Sequence, residues 1–334
     1  MGGNAFNAKG FESKRMTKDE YERVEKEICD ILSLLDIEYL TIPYVREKET
    51  FGDIDIVVVK KCDKNIKNIL CENIDKFNLT SDFLIRNGDV ISILYEEKYQ
   101  IDLICTKEKD KNYHRNYLAY NDLGNLIGRT IKQFGYKHGH NGLFYVYREG
   151  NHYKEDILLT NDYFKALDIL GLSIDKYNSG FDTFTDMFDY VTSSKYFDKT
   201  RFSLENLNNR NRVRDRKRKV YNNFIKYIEN KPFEYEQAKS PFEMFDWLES
   251  KCLEIKEKRD KINALKSKIN GNVIMRVLNN EIEGKNLGKF ISFLSQTPNY
   301  NSFIMSMDDH QVEEFIKSKY LEYTNLLNTD SINT

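Results

Sequence analysis

Asp53 and Asp55 stand two residues apart in "ETFGDIDIVVVKK", Glu49 to Lys61, where the chain enters a run of Ile and Val. Such a run has the composition of a buried strand, and side chains two apart on a strand point to one face. The two carboxylates therefore share a side while Ile54 and Ile56 take the other. Carboxylates that close repel, and both stay ionised at neutral pH only if positive charge lies between them. A divalent cation meets that need: Mg²⁺ prefers oxygen ligands and takes one or two protein carboxylates together with phosphate oxygens of a substrate. A third carboxylate is then expected from a neighbouring strand. "YQIDLIC" supplies Asp102, set between Ile101 and Leu103, where an unpaired charge would be costly.

The elements that must position these groups follow from periodicity. Thr17 with Glu20 forms a T-x-x-E capping box, and Val24, Ile28, Ile31, Leu32 and Leu35 follow at helical spacing, which predicts a helix over 17–36. "IEYLTIPYV" and "DIDIVVVKK" have strand composition, and "KNIKNILCENIDKF" returns to helical spacing. "LTSDFLIRNGDVISILYEEKYQIDLICT" predicts three strands with an Asn87-Gly88 hairpin. The fold class is α+β: a mixed sheet with helices on one face. A further helix is expected from Asn121 to Gly135, then a hairpin turning at Glu149-Gly150. In "KHGHNG", His138 and His140 are expected to face solvent on a loop, an H-x-H pair being a poor zinc site without a further ligand. From about Thr160 helical patterns dominate. The predicted division is a catalytic domain over 1–157 and a mostly helical domain over 158–334, packed together without a Gly/Ser- or Pro-rich linker.

"YVREKETFGDIDIVV" resembles the catalytic motif of the nucleotidyltransferase superfamily, in the version of the family X, polymerase-beta-like DNA polymerases. The shared pattern is a short strand, an Arg-containing turn, Glu, then Gly-Asp-x-Asp and a hydrophobic run. "YQIDLI" resembles the strand of that family's third metal-binding aspartate. The likeness covers about residues 37–136 and is specific at Gly52 to Ile56 and at Asp102. It implies that Asp53 and Asp55 hold two Mg²⁺ ions, with Mn²⁺ as a substitute, and that Asp102 positions and activates an attacking 3′-hydroxyl. Members carry Gly-Ser about ten residues before the first Asp, as a grip on the triphosphate. Here Ile42-Pro43 occupies the matching positions, and proline has no amide hydrogen to offer. Nucleotide binding is then expected to rest on Arg46, Lys48 and Gly52, with the Gly2-Gly3 segment as a further contributor. "YLAYNDLGNLIGRTIKQFGYK" continues the likeness as a thumb-like part from about residue 111, making Asn121, Asp122, Asn125 and Arg129 candidates for base or sugar contacts. Close helix packing at Gly124 and Gly128 is the structural alternative. "INGNVIMRVLNNEIEGKNLGKFISFL" has a fainter likeness to the helical C-terminal stretch of CCA-adding enzymes and bacterial poly(A) polymerases, where a glycine pair, here Gly284 and Gly288, bounds a turn between helices.

Composition narrows the acceptor. With 51 basic and 53 acidic residues the chain is no general polyanion coat, and its 22 Tyr and 21 Phe exclude a disordered polymer. Charge is nevertheless local. Arg210, Arg212, Arg214, Arg216, Lys217, Arg218 and Lys219 form a run interrupted by one acid, Asp215, and phosphate neutralisation is its natural use. Tyr196, Phe197 and Phe202 nearby are either stacking platforms or core. The expected partners are a nucleoside triphosphate and a nucleic-acid 3′ end, RNA or DNA. Alternatives are transfer to a protein or small-molecule hydroxyl, or an inactive nucleotide-binding relative. No window reaches the ~18 apolar residues of a membrane span, and five scattered cysteines without a C-x-x-C pair suit reduced core thiols. A cytoplasmic protein of bacterial or viral origin is expected.

Overall fold

The computed structural model describes residues 4–60, 66–77, 81–202, 212–213, 216, 218–229 and 239–330. In chain order the elements of the first part are β1 (Met16–Thr17), α1 (Lys18–Leu34), β2 (Tyr39–Thr41), β3 (Thr50–Phe51), β4 (Ile54–Lys60), α2 (Ile66–Glu72), β5 (Leu84–Asn87), β6 (Val90–Tyr95) and β7 (Tyr99–Lys107). Then come α3 (Lys111–Leu118), α4 (Leu123–Ile131), β8 (Tyr136–Gly139), β9 (Gly142–Glu149), β10 (His152–Thr160), α5 (Tyr163–Ile169), α6 (Ile174–Ser179), α7 (Phe184–Thr192) and α8 (Lys219–Glu229). The class is α+β, as the periodicity predicts.

The predicted capping box opens α1: the Thr17 hydroxyl accepts from the amide of Glu20 at 3.3 Å, and the Glu20 carboxylate accepts from the amide of Thr17 at 2.8 Å. Two donors that the helix leaves over are satisfied reciprocally. Thr17→Ala is expected to cost about 1 kcal/mol and lower Tm by a few degrees in thermal denaturation, because one of these bonds is lost without loss of core. Behind the cap, Val24, Ile28 and Leu32 bury one stripe against the sheet.

That sheet has the strand order β2-β4-β7-β6-β5, with β4 and β7 parallel and the other pairs antiparallel. Alternate residues Ile54, Ile56 and Val58 of β4 join Ile101, Leu103 and Cys105 of β7 in the core shared with α1. The strand period of two turns Asp55 and Asp102 to the opposite face. The short pair β1 and β3 sets Met16 against Phe51 and Thr17 against Thr50, tying the start of α1 to the segment just before β4.

A second sheet, β10-β9-β8, is antiparallel throughout. Gly150, at φ +57, makes the predicted β9–β10 turn. "KHGHNG" is not a plain loop: β8 runs through Tyr136 to Gly139, and His138 is buried while His140 is exposed at the turn. Two histidines two apart part company because Gly139 ends the strand between them.

The chain divides into two compact units, Met1–Met244 and Phe245–Thr334. Strands do end at Thr160, but the helices that follow bury their aromatics against the first part: Tyr163 meets Tyr113 of α3 and His138 of β8 at ring-centroid distances of 5.2 and 5.7 Å. For that reason the break falls at 244/245 and not near 157. Among its described residues the second unit has five helices, Leu248–Lys268, Gly271–Val277, Gly284–Leu294, Tyr300–Ser306 and Asp309–Asp330, around Ile274, Phe290, Leu294, Ile304 and Ile316. Gly284 and Gly288 both lie within one helix rather than bounding a turn. Among the described residues no helix is long and apolar enough to cross a membrane.

Candidate metal centre

Parallel pairing of β4 with β7 sets Asp55 directly beside Asp102, and the bend at Gly52 brings Asp53 in from just before β4. One carboxylate oxygen from each of the three lies within 4.8 Å of the others, all three side chains being half-buried. Asp102 is fixed from both sides: its Oδ1 accepts from the Ser92 hydroxyl at 2.6 Å and its Oδ2 from the Gln100 amide at 2.9 Å. Ser92 is the register partner of Asp102 on β6, and Ser92 and Gln100 are both buried. Sequence reasoning missed both. The available signal was a lone serine inside the apolar run "VISILY" and a glutamine two residues before an in-strand aspartate.

Burial raises the Asp55 carboxyl to about 8, and the charges of Asp53 and Asp102 push the same way. Burial also raises Asp102, together with Asp53, against the Ser92 and Gln100 hydrogen bonds that favour its charged form. Lys48 answers part of this negative field: burial lowers its ammonium while Asp53 and Asp55 pull it up, and it stands 4.3 Å over the Phe51 ring. An all-oxygen carboxylate set on an open sheet face fits a hard divalent cation such as Mg²⁺. Asp53, Asp55 and Asp102 are the residues that would hold it.

The turn between β2 and β3 divides its two cations. Lys48 lies towards the aspartates. Arg46 turns to the segment after α6, pairing with Asp182 at 2.6 Å and donating to the Ser179 carbonyl at 2.5 Å. The amides of Arg46 and Glu47 donate to the carbonyls of Phe181 and Asp182. Gly180, at φ +73, is needed there, since a Cβ would stand 3.1 Å from the Arg46 guanidinium. Ile42-Pro43 likewise serves architecture: the Pro43 carbonyl accepts from the Tyr120 amide at 2.8 Å. Arg15, unremarked in the sequence, donates to the Thr50 carbonyl at 2.9 Å and to the Thr50 hydroxyl at 3.0 Å, and its charge is felt at Lys48. Gly2-Gly3 lies outside the described residues.

The other expected contacts are spread. Asn121 is exposed, and it and Tyr120 both take positive φ, +63 and +55, ahead of α4. Asp122 is ion-paired with Arg218. Asn125 and Arg129 line a cleft of about 470 Å³ between α4 and the second sheet, which none of the three aspartates lines. Gly124 bears out close packing, its α-carbon facing the Tyr117 carbonyl. Of the basic run, Arg210, Arg214 and Lys217 lie outside the described residues. Arg212 is half-buried, Arg216 and Lys219 are exposed, and Arg218 is engaged by Asp122. Tyr196, Phe197 and Phe202 are core and not platforms for bases. A scan against protein-family models finds no match to this chain, and no curated protein is significantly similar to it in sequence.

Proposed function

We propose that this chain is a divalent-metal-dependent nucleotidyltransferase that moves a nucleotide from an NTP or dNTP to the 3′-hydroxyl of a nucleic acid. The observation that carries the reading is the gathering of Asp53, Asp55 and Asp102 from two parallel strands to within 4.8 Å. In the reaction the 3′-oxygen forms a bond to the α-phosphorus, the bond from that phosphorus to the bridging oxygen breaks, and pyrophosphate leaves. When bound, Mg²⁺ would neutralise the carboxylates and stabilise charge on the entering and leaving oxygens. Asp102, oriented by Ser92 and Gln100 and raised above the ordinary carboxylate range by burial, is suited to orient the hydroxyl and accept its proton. Lys48 supplies fixed positive charge beside the aspartates for the phosphates. Arg46 acts through the turn, since its guanidinium is taken up by Asp182 and Ser179.

The test is incubation with each labelled NTP and dNTP, in Mg²⁺, against mixed tRNA, single-stranded RNA and gapped DNA. The 3′ end should be extended by wild type and not by Asp53→Ala. Equal behaviour of the two proteins would leave a nucleotide-binding relative without catalysis. Alanine replacement of the cations from Arg210 to Lys219 should weaken extension; unchanged activity would point to a protein or small-molecule hydroxyl.

A further inference from the structure

The cleft between α4 and the second sheet is a site apart from the metal centre. Its volume of about 470 Å³ lies within the ~300–1,000 Å³ range of ligand pockets. One wall is a helix face, with Gly124, Asn125, Gly128 and Arg129 at successive turns; the other is built from β8, β9 and β10. Gly128 leaves room on this wall, the nearest atom to an added Cβ being His138 Cβ at 3.7 Å, while Gly124 lets α4 pack closely on the Tyr117 backbone.

Its lining cations outnumber its acids. Lys137 pairs with Asp156 at 2.5 Å; Arg129, Lys132 and Arg148 also line the cleft, and Asp156 is the one acid among its described lining residues. Arg129 is braced from behind, lying 5.0 Å from the Tyr221 ring of α8, and Arg148 is held to the β9–β10 turn through the Asn151 carbonyl. The cations therefore sit on rigid elements. Between them the walls are aromatic: Tyr117 packs edge-on to His138 at 5.0 Å, and Tyr153 is 54% exposed at the rim. His138 is neutral, its imidazole lowered by burial to about 4, so it adds apolar wall and not charge. Cations that can meet phosphate beside aromatic faces that can stack on a base are the requirements of nucleotide recognition.

We infer that this cleft binds a nucleotide unit, with the phosphate on Arg129, Lys132 and Arg148 and the base against the tyrosines, independently of the three aspartates. Asn125 and Arg129 then belong to this second site and not to the nucleotide at the metal centre. That the ligand is a nucleotide rests on the nucleotidyl-transfer reading; that a phosphate-bearing ligand fits rests on the cleft.

The experiment uses the full chain carrying Asp53→Asn, in EDTA, with fluorescence anisotropy of labelled AMP, labelled ATP and a labelled ten-nucleotide single-stranded RNA. Binding should persist at wild-type strength in this background. The further pair Lys132→Gln and Arg148→Gln should reduce it by about 10-fold or more and flatten its salt dependence, and Tyr153→Ala should weaken it without altering the salt slope. Tighter binding of the RNA than of AMP would assign the site to a strand, and equal binding would assign it to free nucleotide. No binding in the Asp53→Asn background, or binding indifferent to Lys132 and Arg148, would overturn the inference. If these ligands bind but wild type transfers nothing, the catalytic reading fails alone; if transfer occurs and the cleft binds nothing, the cleft inference fails alone.

Discussion

Asp55→Asn is expected to abolish the proposed nucleotide transfer and, in the same protein, to raise the Tm measured in EDTA. Three carboxylates half-buried within 4.8 Å cost the metal-free fold stability, because each charge is desolvated beside the others. The cost is clearest at Asp55, whose carboxyl burial and its neighbours lift to about 8, against about 3.9 for an unstructured aspartate. Between those values the folded state holds a proton that the unfolded chain has released, so folding stability falls as pH rises from about 4 to about 8 and is flat beyond. Each tenfold difference in proton affinity between the two states is worth ~1.4 kcal/mol at most, and screening at this half-open face brings the expected loss over the whole interval down to the order of 2 kcal/mol. Asparagine keeps the shape and removes the charge, so thermal denaturation in EDTA should show its advantage growing from pH 5 to pH 8. Activity should fall by about 10³-fold or more, corresponding to ~4 kcal/mol of transition-state stabilisation. A variant less stable than wild type at pH 8 in EDTA would contradict this account of the centre, whatever its activity.

The aspartates were legible because Asp55 and Asp102 each interrupt an apolar strand and Asp53 stands just before one, and strand period alone says which neighbours share their side. What periodicity could not give was register. Only the parallel alignment of β4 with β7 puts Asp55 beside Asp102 and Ser92 behind it, and that pairing joins segments far apart in the chain. Arg15 was hidden for the same reason: two residues of β1 meeting β3 leave no pattern to detect. Helix α3 escaped because "KNYHRNYL" is mostly polar, yet it buries Tyr113, His114 and Asn116. Strand β8 escaped because two glycines and an asparagine around His140 have the composition of a loop. The domain boundary was misread where aromatic packing outweighed composition, Tyr163 and Tyr177 tying α5 and α6 to what precedes them.

The two cations of the β2–β3 turn have different duties. The Pro43 carbonyl and the Arg46 side chain both serve to fasten the turn, one to Tyr120 and the other to the Ser179–Asp182 stretch. Fastening from both directions fixes the backbone that carries Lys48. The inward charge is thus held by a rigid turn, which keeps a half-buried lysine within the field of Asp53 and Asp55.

Gly124→Ala is expected to be strongly destabilising, and Gly128→Ala, one turn on, close to neutral. At Gly124 a Cβ would stand 2.3 Å from the Tyr117 carbonyl oxygen and 3.1 Å from its ring. The oxygen belongs to the backbone of α3, so no rotamer change relieves the clash and α4 itself must move. Its freedom to do so is small. Tyr120 and Asn121, both at positive φ, reverse the chain in the shortest span between the helices, the Tyr120 amide is bonded to Pro43, and Asp122 is paired with Arg218. Overpacking against fixed backbone costs about 3 kcal/mol or more, which for a unit of this size lowers Tm by roughly 6–12 °C. At Gly128 the nearest atoms to an added Cβ are His138 Cβ at 3.7 Å and its carbonyl at 3.8 Å, ordinary contact distances, and alanine recovers up to ~1 kcal/mol of helix propensity. Parallel thermal melts of the two variants should therefore diverge, and equal losses would mean that α3 and α4 are not held as closely as their shared glycine requires.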